Sequence, residues 1–360
     1  MRIGLMLYGD IDTLSGGYLY DRKLLEYCRL QHDEVFLFSL KKSSYIKALT
    51  TNTIPVELND LELDVLIQDE LIHPSVFRIN HKLKQLLNCP IVSLVHLLHS
   101  SIPAPAFKRV LYKSIERLYL KSVDAMIFNS EHTKLQAREL LDTGLPANIV
   151  AVPCGDNFGR VRSQNKVVDS KALKILFVAN ISKQKGLHVV LEALYLLNDE
   201  DITLSVVGRT DIDRAYVAAQ LKYIKNSQLE NEIKFYGPIR GTALAQLYQE
   251  RDLFVLPSVN EAYGIVYLEA MQFALPVIAT YEGGAKELVE NNNNGYLVPA
   301  EDSHALAKHI KVLKQDAKLL AEFSENARQS YLQHPRWEDS INNIRQFLLQ
   351  LVDSREHLSD

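Results

Sequence analysis

The stretch from Pro257 to Val289 constrains the fold of this chain more than any other part of the sequence. An apolar run ends at Pro257, and a loop that contains Gly264 precedes a short helical segment. A second apolar run then leads into Gly283 and Gly284, where another helix is predicted to begin. This alternation of strand, loop and helix is typical of a parallel α/β unit.

The loop and the first helical turn after Gly264 predict an anion site. Free backbone N–H groups at a helix start lie at the positive end of the helix dipole, and a glycine lets a ligand approach the backbone. Glu261 precedes this helix and Glu269 lies within it, so both carboxylates can accept hydrogen bonds from hydroxyl groups. The combination suits a ligand with both phosphate and sugar hydroxyls. The spacing alone is also consistent with an ordinary turn whose glutamates face solvent.

Length and composition indicate a soluble chain with two domains. The 360 residues suffice for two domains of ordinary size, and 47% hydrophobic with 23% charged residues is typical of globular proteins. A formal charge of −4 argues against a nucleic-acid partner. Three scattered cysteines without a C-x-x-C pair indicate a reducing cytoplasm, and no apolar run approaches the length of a membrane span. The N-terminal residues read as a first strand rather than as a signal peptide.

The first half of the chain predicts about six parallel strands, buried on both faces because their apolar runs are unbroken. Gly16 and Gly17 follow the first run, in a loop of the kind that approaches a phosphate. His96 ends the run 91–95, at the sheet edge where open α/β folds bind ligands. This histidine can hydrogen-bond a ligand, or it can simply cap its strand.

A polar, aperiodic segment separates the two halves and predicts the domain limits. We expect a first domain over residues 1–160, a linker over 161–173, a second domain over 174–335 and a C-terminal helix over 336–360. Just after the linker and its first strand, Lys185 precedes a predicted helix and is a suitable point charge for a diphosphate.

The pattern PSxxEAYGIVYLEAMxxALPVIAT, with its E-x7-E spacing, resembles the signature of the retaining glycosyltransferases of family 4. The resemblance implies a GT-B fold, in which two Rossmann-like, doubly wound parallel-sheet domains face a deep cleft and the C-terminal helix crosses back to the first domain. It implies transfer of a sugar from a nucleotide-diphosphate sugar to a hydroxyl acceptor, which is a glycan, a lipid-linked acceptor or a small molecule. Polysaccharide or glycoconjugate synthesis is the expected setting, and no cofactor or metal is expected.

The resemblance also implies roles for single residues. As the catalytic pair, Glu261 would bind a sugar hydroxyl near the reacting carbon, and His96 would approach the same sugar from the first domain. Glu269 would hold the ribose and Lys185 the diphosphate. The other donor-binding residues would be Gly16, Gly17, Asn180, Tyr263, Gly264 and Ile265. Asn180 stands where the family pattern has an arginine, and this departure weakens the expected phosphate site.

Alternatives to an active transferase remain open. Asn180 in place of arginine is consistent with a non-catalytic donor-binding subunit or pseudoenzyme, and a nucleotide-sugar epimerase would have the same fold. A phosphorylase of this fold would need a pyridoxal-binding lysine in an insert that this chain is too short to carry. The triplets Asp10–Asp12 and Asp211–Asp213 match the D-x-D metal motif of GT-A glycosyltransferases, a different fold.

Residues 108–121 predict a helix with a cation at every fourth position. Its apolar stripe is Leu111, Ile115 and Leu118, and its cations are Arg109, Lys113, Arg117 and Lys121. The simplest interpretation is a surface helix with solvated cations. The pattern is also that of a helix resting on an anionic membrane surface, so a cytoplasmic protein in peripheral contact with the inner face of a membrane is the alternative.

Overall fold

The computed structural model describes residues 1–13, 15–51, 54–58, 61–159 and 172–356. The chain forms two compact units, one made of Met1–Pro153 with Pro335–Asp360 and the other of Cys154–His334. Residues 161–171 of the predicted linker lie outside the described residues.

The first unit contains a six-stranded, all-parallel sheet in the order β2-β1-β3-β4-β5-β6. Its strands are β1 (Arg2–Tyr8), β2 (Glu34–Leu40), β3 (Val65–Asp69), β4 (Ile91–Val95), β5 (Ala125–Phe128) and β6 (Ala147–Val150). The four inner strands are buried, as their unbroken apolar runs predict. The expectation that all six are buried is wrong for β2 and β6, because each lies at an edge and lacks a neighbour on one side.

Helices of the first unit connect these strands. They are α1 (Gly16–Leu30), α2 (Tyr45–Ala48), α3 (His73–Val76), α4 (Asn80–Leu87), α5 (Ala106–Leu120) and α6 (Glu131–Leu141). Side-chain hydroxyls cap two of them: Ser15 accepts a hydrogen bond from Tyr18 N at 3.4 Å, and Ser130 accepts one from Thr133 N at 3.0 Å.

The second unit contains another six-stranded, all-parallel sheet in the order β12-β11-β10-β7-β8-β9. Its strands are β7 (Leu173–Val178), β8 (Ile202–Val207), β9 (Ile233–Gly237), β10 (Leu253–Leu256), β11 (Val277–Thr280) and β12 (Gly295–Val298). Its helices are α7 (Leu187–Leu197), α8 (Arg214–Asn226), α9 (Gly241–Glu250), α10 (Ile265–Gln272), α11 (Ser303–Gln315) and α12 (Ala317–Gln333).

The stretch from Pro257 to Val289 adopts the predicted alternation, except at its end. The order β10, loop, α10, β11 is confirmed. The helix expected after Gly283 is only a 3₁₀ turn, Gly284–Glu287. A turn-forming run of asparagines, Asn291–Asn294, follows closely and leads into β12, which leaves no room for a longer helix.

The last helix, α13 (Trp337–Glu356), belongs to the first unit and packs against α1. The ring of Trp337 meets that of Tyr20 edge-on at 5.4 Å between centroids. The guanidinium of Arg345 makes two hydrogen bonds to the buried carboxylate of Asp33, at 2.7 and 3.0 Å. Among the described helices, none combines the length and the hydropathy that crossing a membrane requires.

Candidate functional site

The carboxyl ends of β7 and β10 lie side by side at the centre of the second sheet. The chain winds in one direction from β7 to β9 and in the other from β10 to β12, and open α/β sheets bind ligands at such a reversal. The loop after β7 carries Asn180 and Lys185, and the loop after β10 carries Glu261 and Gly264. The second-unit residues predicted from the sequence therefore come together at one sheet edge.

Lys185 and Glu261 form an ion pair across these two loops. The distance from Nζ of Lys185 to Oε2 of Glu261 is 2.6 Å, and both side chains are partly exposed. A backbone hydrogen bond from Val259 N to Gln184 O, 2.9 Å long, joins the same two loops. A partly exposed ion pair contributes little to stability, so a phosphate can compete with Glu261 for the ammonium group at small cost.

Gly264 begins α10 in a backbone conformation that favours glycine. Its φ is +93°, and a Cβ atom here would lie 2.2 Å from the ring of Tyr267. The backbone N–H groups of Ile265 and Val266 have no partners within the helix, whereas Tyr267 N donates to the carbonyl of Gly264 at 2.9 Å. The neighbouring Tyr263 is buried and its hydroxyl bonds to Nε2 of His334 at 2.6 Å, so only its backbone can serve a ligand in this arrangement.

Glu269 is held by two neutral donors inside the second unit. Its Oε1 accepts a hydrogen bond from Asn157 Nδ2 at 2.8 Å, and its Oε2 accepts one from the hydroxyl of Tyr248 at 3.0 Å. Burial raises the pKa of this carboxyl, although both hydrogen bonds act in the opposite direction. Each oxygen keeps a further lone pair, so the fixed carboxylate can still accept hydrogen bonds from ligand hydroxyls.

Asn180 is partly exposed at the end of β7, beside the loop after β8. In that loop the guanidinium of Arg209 makes two hydrogen bonds to Asp211, at 2.9 and 2.7 Å. Asp213 caps α8 by accepting from Tyr216 N at 3.1 Å. The second D-x-D triplet therefore has structural partners for both of its carboxylates.

In the first unit, His96 lies beside Gly17, which follows Gly16 at the start of α1. His96 follows β4, and a Cβ atom on Gly17 would lie 3.2 Å from Cδ2 of the imidazole. Nε2 of His96 lies 2.9 Å from Oδ1 of Asp21, which is wholly buried in α1. The aspartate was not predicted from the sequence. The sequence does contain an indication of it, because Asp21 is an acidic residue beside the apolar side of the helix α1.

A second buried polar cluster lies under the loop that follows His96. The carboxylate of Glu116, in α5, accepts hydrogen bonds from the amides of His99 and Ser100, at 2.5 and 3.2 Å, and from the Ser100 hydroxyl. It also contacts the buried carboxyl of Glu70, whose Oε1 lies 2.9 Å from Nδ1 of His73. Burial raises the pKa of both glutamates, so one shared proton satisfies the pair.

Two buried groups bring carboxylate and imidazole atoms within 4.8 Å of one another. They are Asp21 with Asp69 and His96, and Glu70 with His73 and Glu116. Carboxylate and imidazole are common ligands of divalent cations. Here the hydrogen bond of His96 to Asp21 and the shared proton of the glutamates supply partners from the protein itself. Both groups are therefore held in part by contacts between their own members.

Comparison with known proteins finds that part of this chain is similar to glycosyltransferases. Residues 161–330 match the family model described as glycosyl transferases group 1. The putative colanic acid biosynthesis glycosyltransferase WcaL of Escherichia coli strain K12 is 30% identical over 228 residues, which cover 61% of this chain and 55% of that protein. The chain spans about half the length of the curated relatives it matches.

Solved structures match nearly the whole chain. Sucrose-phosphate synthase from Thermosynechococcus elongatus aligns with a TM-score of 0.81 and 21% identity, over 98% of this chain and 99% of that one. HepE from Anabaena, solved with UDP-glucose, aligns with a TM-score of 0.78 and 18% identity, over 97% of this chain and 100% of that one. The predicted fold is confirmed: the chain has the GT-B fold of these glycosyltransferases, and its second unit is similar to the group 1 glycosyl transferases.

Proposed function

We propose that this chain is a metal-independent, retaining glycosyltransferase of family 4, which moves a sugar from a nucleotide-diphosphate sugar to a hydroxyl acceptor. The observation that carries the proposal is the meeting of Lys185, Glu261 and the start of α10 where the winding of the second sheet reverses. A cation and a helix N-terminus suit a diphosphate, and carboxylates suit sugar hydroxyls.

The donor would lie along the second unit. Lys185 and the first amides of α10 would bind the diphosphate, and Glu269 would accept hydrogen bonds from the ribose hydroxyls. Asn180 would add a neutral donor beside the phosphates. The structures of HepE with UDP and with UDP-glucose support a nucleotide-sugar donor, and the name of WcaL supports polysaccharide synthesis as the setting.

The Lys185–Glu261 ion pair suggests how binding prepares the site. A donor phosphate that takes over the ammonium group releases the Glu261 carboxylate, which can then accept a hydrogen bond from the sugar. His96 would hydrogen-bond the same sugar, with Gly17 leaving room beside the imidazole.

In the reaction, the bond between the anomeric carbon and the diphosphate oxygen breaks, and a bond to the acceptor oxygen forms on the same face. The acceptor proton passes to an oxygen of the departing diphosphate, so no protein base is required. Lys185 and the α10 amides would stabilise the negative charge on that leaving group. They would therefore do the work that a metal ion does in other transferases.

Nucleotide release from UDP-, GDP- and ADP-sugars tests this proposal. We expect release by the wild type in the presence of EDTA, and a loss of about 100-fold in Glu261→Gln and Lys185→Met, in the range of removing one electrostatic catalytic group. Glu269→Gln should weaken nucleotide binding about tenfold or more in calorimetry, because an amide cannot accept from both Asn157 and Tyr248. The exposed Glu322→Gln is the matched control.

The same assays separate the alternatives. Tight donor binding without release under any condition would contradict transfer and favour a non-catalytic donor-binding protein. Conversion of one UDP-sugar into its epimer would favour an epimerase. Activity that EDTA abolishes and Mn²⁺ or Mg²⁺ restores would contradict metal independence. A product with the inverted anomeric configuration, read by proton NMR, would contradict retention.

We propose in addition that α5 contacts an anionic membrane surface. Its outward face exposes Phe107, Val110 and Leu118, at 71%, 66% and 53% of their full accessibility. The apolar stripe predicted from the sequence is wrong in part, because Leu111 and Ile115 are partly buried and only Leu118 is exposed.

Cations surround this outward face of α5. The exposed ones are Lys108, Arg109, Lys113 and Lys121, while Arg117 pairs with Asp142 at 2.7 Å. Exposed apolar groups ringed by cations suit an anionic lipid surface.

Co-sedimentation with vesicles checks the membrane contact. We expect binding to vesicles of phosphatidylcholine with phosphatidylglycerol, weak binding to phosphatidylcholine alone, and loss of binding in high salt. Exchanging Arg109, Lys113 and Lys121 for glutamine should abolish binding. The same exchange at the exposed Lys222, Lys311 and Lys318 is the control. Equal binding by both triple variants would rule out this role for α5.

A further inference from the structure

His96 is fixed on several sides by residues of one helix, α1. Oδ1 of Asp21 lies 2.9 Å from Nε2, and the ring of Tyr20 meets the imidazole edge-on at 5.3 Å between centroids. Gly17, one turn earlier, leaves room for the ring only because it has no Cβ, which would lie 3.2 Å from Cδ2. The orientation of the imidazole is therefore set by α1 rather than by the loop that carries it.

The surroundings of His96 are acidic. Asp69 ends β3 and is buried, and Glu70 follows it, also buried. Among the described residues of the first unit, no lysine or arginine is buried. The imidazole of His96 is thus the basic group beside Asp21 and Asp69, while Glu70 also lies 2.9 Å from Nδ1 of a second buried imidazole, that of His73.

These carboxyl groups determine the charge of the imidazole. Burial alone would lower the pKa of His96, but Asp21 reverses the effect, with smaller contributions from Asp69 and Glu70, and the pKa is raised. Asp69 contributes less than a full charge near neutral pH, because burial and the neighbouring Asp21 raise its own pKa to about 7. Asp21, which also makes the hydrogen bond, is therefore the principal partner of His96.

Only one nitrogen of His96 is left for a ligand. Nε2 is used by Asp21, and within the described part of the chain no hydrogen bond involves Nδ1. The side chain is 9% exposed, so Nδ1 lies close to the surface. In an imidazolium both nitrogens donate, whereas in a neutral ring with its proton on Nε2 the other nitrogen accepts.

We propose that Asp21 is a positioning residue, which holds His96 as an imidazolium so that Nδ1–H donates a hydrogen bond to a substrate oxygen. The inference rests on the proposed function, in which His96 contacts the transferred sugar. It adds that the contacted atom accepts the hydrogen bond, as the oxygen between the anomeric carbon and the phosphate does when its bond to the sugar breaks and negative charge collects on it. A hydroxyl donating to a neutral imidazole would require the opposite protonation state.

The two protonation states predict opposite pH dependence. With an imidazolium donor, kcat/KM is full below the raised pKa of His96 and is lost as the pH rises through it. Asp21→Asn keeps an oxygen that accepts from Nε2–H but removes the charge, so the pKa of His96 should fall and the alkaline limb should move to lower pH. We expect a shift of about one pH unit or more, the effect of one close opposite charge.

Histidine NMR measures this directly in the full chain. The His96 signals are assigned by their loss in His96→Gln, and the pKa is compared between wild type, Asp21→Asn and the exposed control Asp353→Asn. We expect a pKa above 6.5 in wild type and in the control, and a fall of about one unit in Asp21→Asn. A parallel shift of the alkaline limb of kcat/KM completes the expected result.

Several outcomes would overturn the inference. The first is a wild-type pKa of His96 at or below the ordinary 6.5, a result that needs no variant. The second is a His96 pKa that does not change in Asp21→Asn. The third is a transfer rate that rises as the pH passes through the pKa of His96. A wild type that releases no nucleotide would instead contradict the proposed function. The NMR titration would still decide whether Asp21 sets the charge of His96.

Discussion

Gly264 shows how a single residue shapes the candidate donor site. Its φ of +93° lies in the left-handed region, and the ring of Tyr267 occupies the space where a Cβ would be. The same ring is wholly buried, and its hydroxyl donates to the carbonyl of Leu256 at 3.1 Å. The Tyr267 side chain therefore links the start of α10 to the end of β10. Its ring fits there because residue 264 has no side chain.

Gly264→Ala should destabilise the second unit by more than backbone strain alone. The left-handed conformation costs an alanine about 1–2 kcal/mol, and the 2.2 Å contact must also be relieved by moving Tyr267. Thermal unfolding measures the loss. Gly237→Ala is the matched control, because Gly237 has a φ of +68° and nothing within 4 Å of the added Cβ. Equal losses in the two variants would show that the tyrosine contact carries no cost.

The pair formed by Glu70 and Glu116 makes stability depend on pH. Burial raises the pKa of both carboxyls in the folded chain, while in the unfolded chain they titrate near 4.5. Their stabilising contribution is complete below that value and is lost as the pH rises through the raised pKa. We therefore expect the free energy of unfolding to fall from mildly acidic to alkaline pH.

Glu70→Gln should remove much of this slope, because an amide N–H replaces the shared proton at every pH. Urea unfolding at pH 5, 7 and 9 checks it: the variant should gain stability relative to wild type as the pH rises. The exposed Glu57→Gln should leave the slope unchanged. A parallel slope in Glu70→Gln and wild type would mean that the pair holds no proton.

At the scale of elements, the sequence predicted the inner strands well and the faces of the helices less well. A strand buried on both sides is mostly apolar, so short apolar stretches were enough to predict β3, β4 and β10. The candidate site was predictable where loops follow such strands. For α5 the inward face could not be read, because it carries Glu116.

Long-range hydrogen bonds explain what was missed. Glu116 is buried because amides of the loop after β4 donate to it, and Asp21 is buried because His96 donates to it. His96 lies 75 residues from Asp21, and the donors to Glu116 lie 16 and 17 residues before it in the loop after β4. No pattern within either helix predicts these partners. An acidic residue on the apolar side of a helix indicates from the sequence that a carboxylate is buried. Its hydrogen-bond partner can be identified only once the fold is known.

Ser130 gives a test at the same scale. Its hydroxyl oxygen accepts a hydrogen bond from Thr133 N at 3.0 Å, so it caps α6. Ser130→Ala should cost about 1 kcal/mol of the unfolding free energy of the first unit, as for other N-cap serines. Ser114→Ala, an exposed position within α5, should cost nothing. No loss in Ser130→Ala would show that water replaces this cap.

At the scale of the whole molecule, the first unit is completed by a distant part of the chain. Asp33 is almost wholly buried between β2 and α13, and its charge is balanced by Arg345. Burial alone would raise the pKa of Asp33, but the hydrogen bonds from Arg345 and the N-terminal ammonium hold it below its usual value. This carboxylate stabilises the fold above its unfolded pKa, and the contribution is lost as the pH falls through the folded one.

Arg345→Met should lower the unfolding free energy of the first unit by about 3 kcal/mol, because it leaves a buried carboxylate with one partner fewer. The loss should shrink in acid, where Asp33 is protonated. Urea unfolding at pH 7 and pH 3 measures both effects, with the exposed Arg138→Met as control. An equal loss of unfolding free energy at both pH values would show that the loss does not depend on the charge of Asp33.

The discontinuity of the first unit has a consequence for biosynthesis. The ribosome makes α13 only after the entire second unit, so the amino-terminal sheet leaves the exit tunnel without the helix that packs on α1. The second unit is continuous and can complete its core while translation proceeds. Nascent chains stalled just before Trp337 should therefore bind holdase chaperones through their amino-terminal half, and chains released after α13 should not.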